Sequence, residues 1–132
     1  MVTVDECNSF VVMPSIEFSK VCKELYSIDK RVNIEVNEDY IKFYIKDEKF
    51  DGAFIYEMND SNDPEIQCKI KTDINIKMSF SLNFLNQISK LGSIGQHVYL
   101  YFSQNYPLMV KYKLKDLGEC KLYLAPAIED DE

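Results

Sequence analysis

Hydrophobic residues recur every third or fourth position in two stretches of this chain and every second position through most of the rest. Phe18, Val21, Cys22, Leu25 and Ile28 follow Pro14 at helical spacing, with Ser15 in place to cap and Glu17 in the first turn, where the helix dipole favours a carboxylate. This predicts an amphipathic helix from Ile16 to Ser27. Leu82, Leu85 and Ile88 predict a second helix, capped by Ser81 and ending near Gly92, with Asn83, Asn86, Gln87 and Lys90 facing outward. Alternation predicts strands at Phe10 to Met13, Arg31 to Val36, Tyr40 to Lys46, Phe50 to Glu57, Glu65 to Lys71 and Ile74 to Phe80, then at Gln96 to Ser103, Pro107 to Leu114 and Glu119 to Leu124. Polar runs mark the turns between them, most clearly Asn59 to Pro64 and Asp116-Leu117-Gly118.

The order is strand, helix, three strands, a linking strand, then strand, helix, three strands. It is a repeat of topology with little repetition of letters. The implied class is α+β: two antiparallel sheets with two antiparallel helices side by side on one face.

With 132 residues the chain suits one domain, residues 1 to 132, ending in a solvated acidic tail from about 127. Its 46% hydrophobic content argues against disorder, no apolar run is long enough to span a bilayer, and the amino terminus lacks a secretion signal, so a soluble protein without a membrane partner is expected. Cys7, Cys22, Cys68 and Cys120 are far apart and only one histidine, His97, exists, a poor set for zinc, which needs clustered thiolates or imidazoles. Cys22, Cys68 and Cys120 fall on the apolar phase of their elements and read as reduced core residues. No cofactor is implied. Catalysis is disfavoured, since His97 lies far from any nucleophile motif and the four glycines form no phosphate loop. The net charge of −7 argues against tight phosphate binding and turns attention to where the lysines sit.

Several segments in register carry a family resemblance: VVMPSIEFSKVCKELYSI (Val11 to Ile28), MSFSLNFLNQISK (Met78 to Lys90), NYPLMVKYKL (Asn105 to Leu114) and the ending KYKLKDLGECKLYLAPAIEDDE (Lys111 to Glu132). Together they resemble the second, C-terminal domain of the sliding clamps of the proliferating cell nuclear antigen family over nearly the whole chain. A full clamp subunit has two such domains; one is present here. The resemblance implies a nuclear DNA polymerase processivity factor that encircles duplex DNA, without chemistry of its own and without cofactors. Implied partners are duplex DNA, held weakly and non-specifically, the clamp loader, other clamp subunits, and clamp-interacting peptides of polymerases, nucleases and ligases.

Residue by residue, Lys20, Lys23 and Lys90 match basic channel-facing positions, and Asn83 stands where many clamps carry arginine. On spacing alone these are solvated helix faces. Pro107, Tyr123, Leu124, Ala125 and Pro126 match the floor of the partner-peptide pocket, with Ser81 and Phe84 beside it; on spacing alone Tyr123 and Leu124 simply end a strand. Part of that pocket in clamps comes from the interdomain linker and the first domain, so here it is expected to be incomplete. Phe50 to Glu57, with Gly52, Phe54 and Tyr56, matches the edge strand that pairs with the next subunit, or is an ordinary edge blunted by Asp51 and Glu57. Gln96 to Ser103 is expected to supply a second open edge. Glu38 occupies a position where many eukaryotic clamps carry a ubiquitin-acceptor lysine. Two alternatives stand beside the clamp reading: a half-length relative that regulates full clamps, and a protein-binding scaffold without a DNA role.

Overall fold

The computed structural model describes residues 8–46, 49, 51–93 and 95–127. Its elements run β1 (Ser9–Pro14), α1 (Ser15–Tyr26), β2 (Arg31–Val36), β3 (Tyr40–Lys46), β4 (Asp51–Glu57), β5 (Lys69–Thr72), β6 (Ile76–Ser81), α2 (Leu82–Ser89), β7 (His97–Phe102), β8 (Leu108–Lys113) and β9 (Glu119–Leu124). Short 3-10 turns follow α2 at Lys90–Ser93 and precede β9 at Lys115–Leu117. The class is α+β, as the hydrophobic pattern implies.

The strands form two antiparallel sheets, one ordered β5-β1-β7-β8-β9 and the other β4-β3-β2-β6. Strict alternation fixes which side of each strand is buried: Val32, Ile34 and Val36 on β2 and Ile41, Phe43 and Ile45 on β3 point inward, while the residues between them stay half-exposed. The inner faces of both sheets and the inner sides of both helices share one core. Phe80 on β6 packs on Phe102 of β7 at 6.4 Å between ring centroids, joining the sheets, and Phe18 on α1 packs on Phe43 at 6.2 Å, joining helix to sheet. Each such fully buried side chain contributes about 1.5–3 kcal/mol by leaving water.

The helices are antiparallel. The Tyr26 hydroxyl, at the end of α1, donates to Asn83 Oδ1 at the start of α2 at 3.3 Å, while Cys22, one turn back, lies near Ser89 at the far end of α2. α1 also touches the turn after α2, so its amino-terminal half lies beside Lys90.

Several local expectations are corrected. Ser15 does not cap α1: Pro14 holds that position, and the Ser15 hydroxyl donates to the Gly95 carbonyl at 2.6 Å, tying the helix start to the turn before β7. Ser81 does sit at the cap position of α2 but makes no side-chain cap bond. Ile28 lies past the end of α1 and is exposed.

The strand expected at Glu65 to Lys71 is shorter, Lys69–Thr72. The Asp63 carboxylate accepts from the Glu65 backbone N–H, and the Asp63 carbonyl accepts from those of Ile66 and Gln67, which winds 64–66 into a turn and leaves Ile66 exposed. Ile74 likewise precedes β6 and is exposed.

Gln96 to Ser103 is not an edge. β7 pairs with β1 from Ser9↔Phe102 to Pro14↔His97 on one side and with β8 on the other, so it is the middle strand of five. The edges are β5 and β9 in that sheet and β4 and β6 in the other. Cys7, Phe50 and the acidic tail from 128 lie outside the described residues.

Candidate nucleic-acid face and partner pocket

Lys20 and Lys23 stand on the outer side of α1 because Phe18, Val21, Cys22 and Leu25 take the inner side at a period of 3.6 residues. Both are exposed, as are Asn83 on α2 and Lys90 in the turn that extends α2. The ion pairs of Lys111 and Lys121 with Glu119 lie on the sheet, and none of Lys20, Lys23 and Lys90 has a carboxylate partner among the described residues. Asn83 uses its carbonyl oxygen to accept from Tyr26 and from Gln87 Nε2, leaving its amide NH2 free to donate outward. Glu24, also exposed on α1, tempers the positive charge. The packed helices therefore present a mildly basic surface that can donate hydrogen bonds to anions.

Five of the residues matching the partner pocket lie at or beside the carboxyl end of β9. Tyr123 and Leu124 lie opposite Met109 and Leu108 of β8, with Pro107 just before that strand. Past Leu124 the chain turns toward the other sheet, where the Ala127 N–H donates to the Ser79 carbonyl of β6 at 2.7 Å. This return forms a cleft of about 360 Å³ lined by Lys77, Met78, Ser79, Gln104, Asn105, Pro126 and Ala127. Gln104 braces its floor by donating to the Lys77 carbonyl, and Asn105, at φ 69°, takes the left-handed conformation that asparagine tolerates. Of the seven matched pocket residues only Pro126 lines this cleft. Tyr123 is half-exposed at the margin, Ala125 and Pro107 are exposed, Leu124 is partly buried, and Ser81 and Phe84 stand at the start of α2, with Phe84 52% exposed. The structure thus offers a shallow surface at this place.

At β4 the inward residues are Phe54 and Tyr56, packed against the core, and the outward one is Ile55, 54% exposed. Phe54 and Tyr56, which match the subunit-pairing edge strand, thus turn their side chains to the core, and alternation sends Ala53, Ile55 and Glu57 to the solvent side. Gly52 pairs with Ile45 of β3, which leaves the other backbone side of β4 open.

Sequence reasoning missed the cleft next to this edge, about 590 Å³, bounded by the start of α1, the end of β4 and the loop before β5. There the Tyr56 hydroxyl donates to Glu17 Oε1 at 3.0 Å, and burial, followed by that hydrogen bond and the negative charge of Glu17, pushes the Tyr56 pKa up. The clue lay in Met58 and Ile66, two exposed apolar residues flanking a polar loop.

The titratable core residues are not poised for reaction. Burial pushes the Cys22 thiol up to about 12 and the Cys68 thiol to about 11, which keeps both protonated and inert at neutral pH. Burial, and after it the positive charge of Lys113, lowers the pKa of His97, whose buried Nε2 has no hydrogen-bond partner among the described residues. Among the described residues no three His, Cys, Asp or Glu side chains gather as a metal site would require, and no helix is long and apolar enough to cross a membrane.

The family model for "Proliferating cell nuclear antigen, C-terminal domain" matches residues 2–127. That span takes in every strand and helix described above and leaves only the ends of the chain. Two antiparallel sheets bearing a pair of antiparallel helices, found over the whole length of such a match, place the chain in the proliferating cell nuclear antigen family of sliding clamps, where it corresponds to the C-terminal domain.

Proposed function

We propose that this chain acts as a wall segment of a sliding clamp, a polymerase processivity factor in which α1 and α2 face the duplex and the sheets form the outer shell. The observation that carries this reading is the antiparallel helix pair, which exposes Lys20, Lys23 and Lys90 without ion-pair partners among the described residues and links exposed Asn83 of α2 to Tyr26 of α1. A wall that encloses DNA needs only loose contact with phosphates. Three lysines and a net charge of −7 suit a surface that slides and does not grip.

In this reading the open edges β4 and β9 pair with neighbouring clamp domains, and the shallow surface around Tyr123, Leu124, Ala125 and Pro126 receives the peptide of a polymerase, nuclease or ligase once a neighbour completes it. Loading by a clamp loader and work in the nucleus, in replication and repair, follow from the same reading.

The test is duplex binding by gel shift at rising salt. The expected result is weak, sequence-independent binding that falls with salt, and a further loss of about tenfold or more at low salt when Lys20, Lys23 and Lys90 are all changed to glutamate. Tight, sequence-specific binding, or binding indifferent to those three changes, would contradict the helix face as the DNA side.

A further inference from the structure

The outward face of the five-stranded sheet carries a charge opposite to that of the chain. Strand register sets two parallel rows across it. Lys69, Val12, Tyr99, Lys111 and Lys121 are successive partners from β5 to β9, and Lys71, Phe10, Tyr101, Met109 and Tyr123 form the adjacent row. The residues between these rows, such as Val11, Leu100 and Val110, are buried in the core, so alternation turns both rows away from it. With Lys113 at the end of β8, the face holds five of the fifteen Lys and Arg residues of a chain that has 22 Asp and Glu. A single carboxylate, Glu119, sits among them on the strands.

The chemistry on offer is that of cations over shielded rings. The Lys111 Nζ lies 5.2 Å and 5.4 Å from the ring centroids of Tyr99 and Tyr101, and the Lys113 Nζ lies 4.9 Å from that of Tyr99. Phe10 packs on Tyr101 at 4.8 Å, and Tyr101 is only 8% exposed. Ring faces covered in this way are not available for nucleobases to stack on, which single-stranded nucleic acid relies on. Exposed instead are the ammonium groups of Lys69, Lys71, Lys113 and Lys121, and the rim of Tyr123. Glu119 shows what they accept: its two oxygens bridge Lys111 and Lys121, each at 3.5 Å.

We propose that this sheet face is a docking surface for an acidic protein segment, an extended stretch rich in Asp and Glu with one apolar side chain resting against Tyr123. The four inter-strand steps from Lys69 to Lys121 span about 19 Å, the length of about six extended residues. The surface lies apart from the helices and does not depend on their facing DNA. It shares Tyr123 with the shallow surface near Pro126 and extends from there across the sheet, adding a class of partner identified by negative charge that competes with the peptide expected at that surface for the Tyr123 ring.

Fluorescence anisotropy with a fluorescein-labelled peptide of Asp and Glu carrying one central Phe tests it, using the full chain. The expected result is salt-sensitive binding that weakens by about tenfold or more in the K69E/K121E double variant and also in K113E. The K20E/K23E variant should bind the peptide as the unaltered chain does, which separates this surface from the helix face. Circular dichroism on each variant confirms that the fold is kept. No binding at low salt, equal binding by the charge-reversed variants, or tighter binding of an oligothymidylate of equal charge would each overturn the proposal.

Discussion

Cys22 shows how one buried side chain ties stability to pH. It sits on the side of α1 that packs toward α2, near Ser89, and burial lifts its thiol from 9.0 to about 12. Below 9.0 the thiol is protonated in both the folded and the unfolded chain, so it adds no pH dependence. Between 9.0 and about 12 the unfolded chain ionises there while the folded chain does not, so stability falls as pH rises through that window. Cys68, raised to about 11, acts in the same direction. Urea unfolding at about pH 7.5 and about pH 10.5 should show a loss at the higher pH, and Cys22→Ala should reduce that loss while lowering stability overall by opening a small cavity. An unchanged pH dependence in the variant would mean that the Cys22 thiol is not held protonated by the fold. The same burial protects the residue from alkylation in the native state.

At the scale of elements, turns and edges decide more than propensity does. Gly118 closes the β8–β9 hairpin at φ 117°, where the Leu114 N–H donates to its carbonyl and nothing lies within 4 Å of the place a Cβ would occupy. Gly118→Ala therefore meets backbone strain alone and should cost about 1–2 kcal/mol in chemical denaturation, without loss of fold. At the opposite edge, Ile55 is the exposed apolar residue of β4. If β4 pairs with a neighbouring strand, Ile55→Lys should weaken concentration-dependent association in sedimentation velocity while leaving the monomer folded. A strictly monomeric chain at high concentration would remove the basis for edge pairing. Most elements were legible in the sequence because burial on one side writes itself as alternation, as in Val32-Asn33-Ile34-Glu35-Val36. The failures have physical causes. The alternation of Ile66 and Cys68 promised a longer β5, but the Asp63 side chain and carbonyl captured the backbone first. The central place of β7 and the lysine rows across β5, β1, β7, β8 and β9 depend on pairings between distant segments, which no local period records. The matched pocket residues were found through family resemblance, whereas the cleft beside Tyr56 needed the fold to bring Glu17, Tyr56 and Ile66 together.

For the whole molecule the central question is topological. A chain with net charge −7 and a mildly basic helix face has little attraction for DNA by contact alone, so a clamp built from it must hold DNA by enclosure. The open edges β4 and β9 lie in different sheets, which allows head-to-tail joining; joined in that way, about six copies of such a domain, or fewer with a complementary partner, can close a ring. In the proposed clamp, like charge between copies opposes closure, so ring formation is expected to rise with concentration and with the help of a loader. The most direct measurement is retention on nicked circular plasmid, in the presence of clamp loader and ATP, before and after a single cut that linearises the DNA. The account predicts that the protein stays with the circle through a high-salt wash and is lost once the DNA has ends. Equal retention on circular and linear DNA would contradict it, because binding would then rest on contacts and not on enclosure.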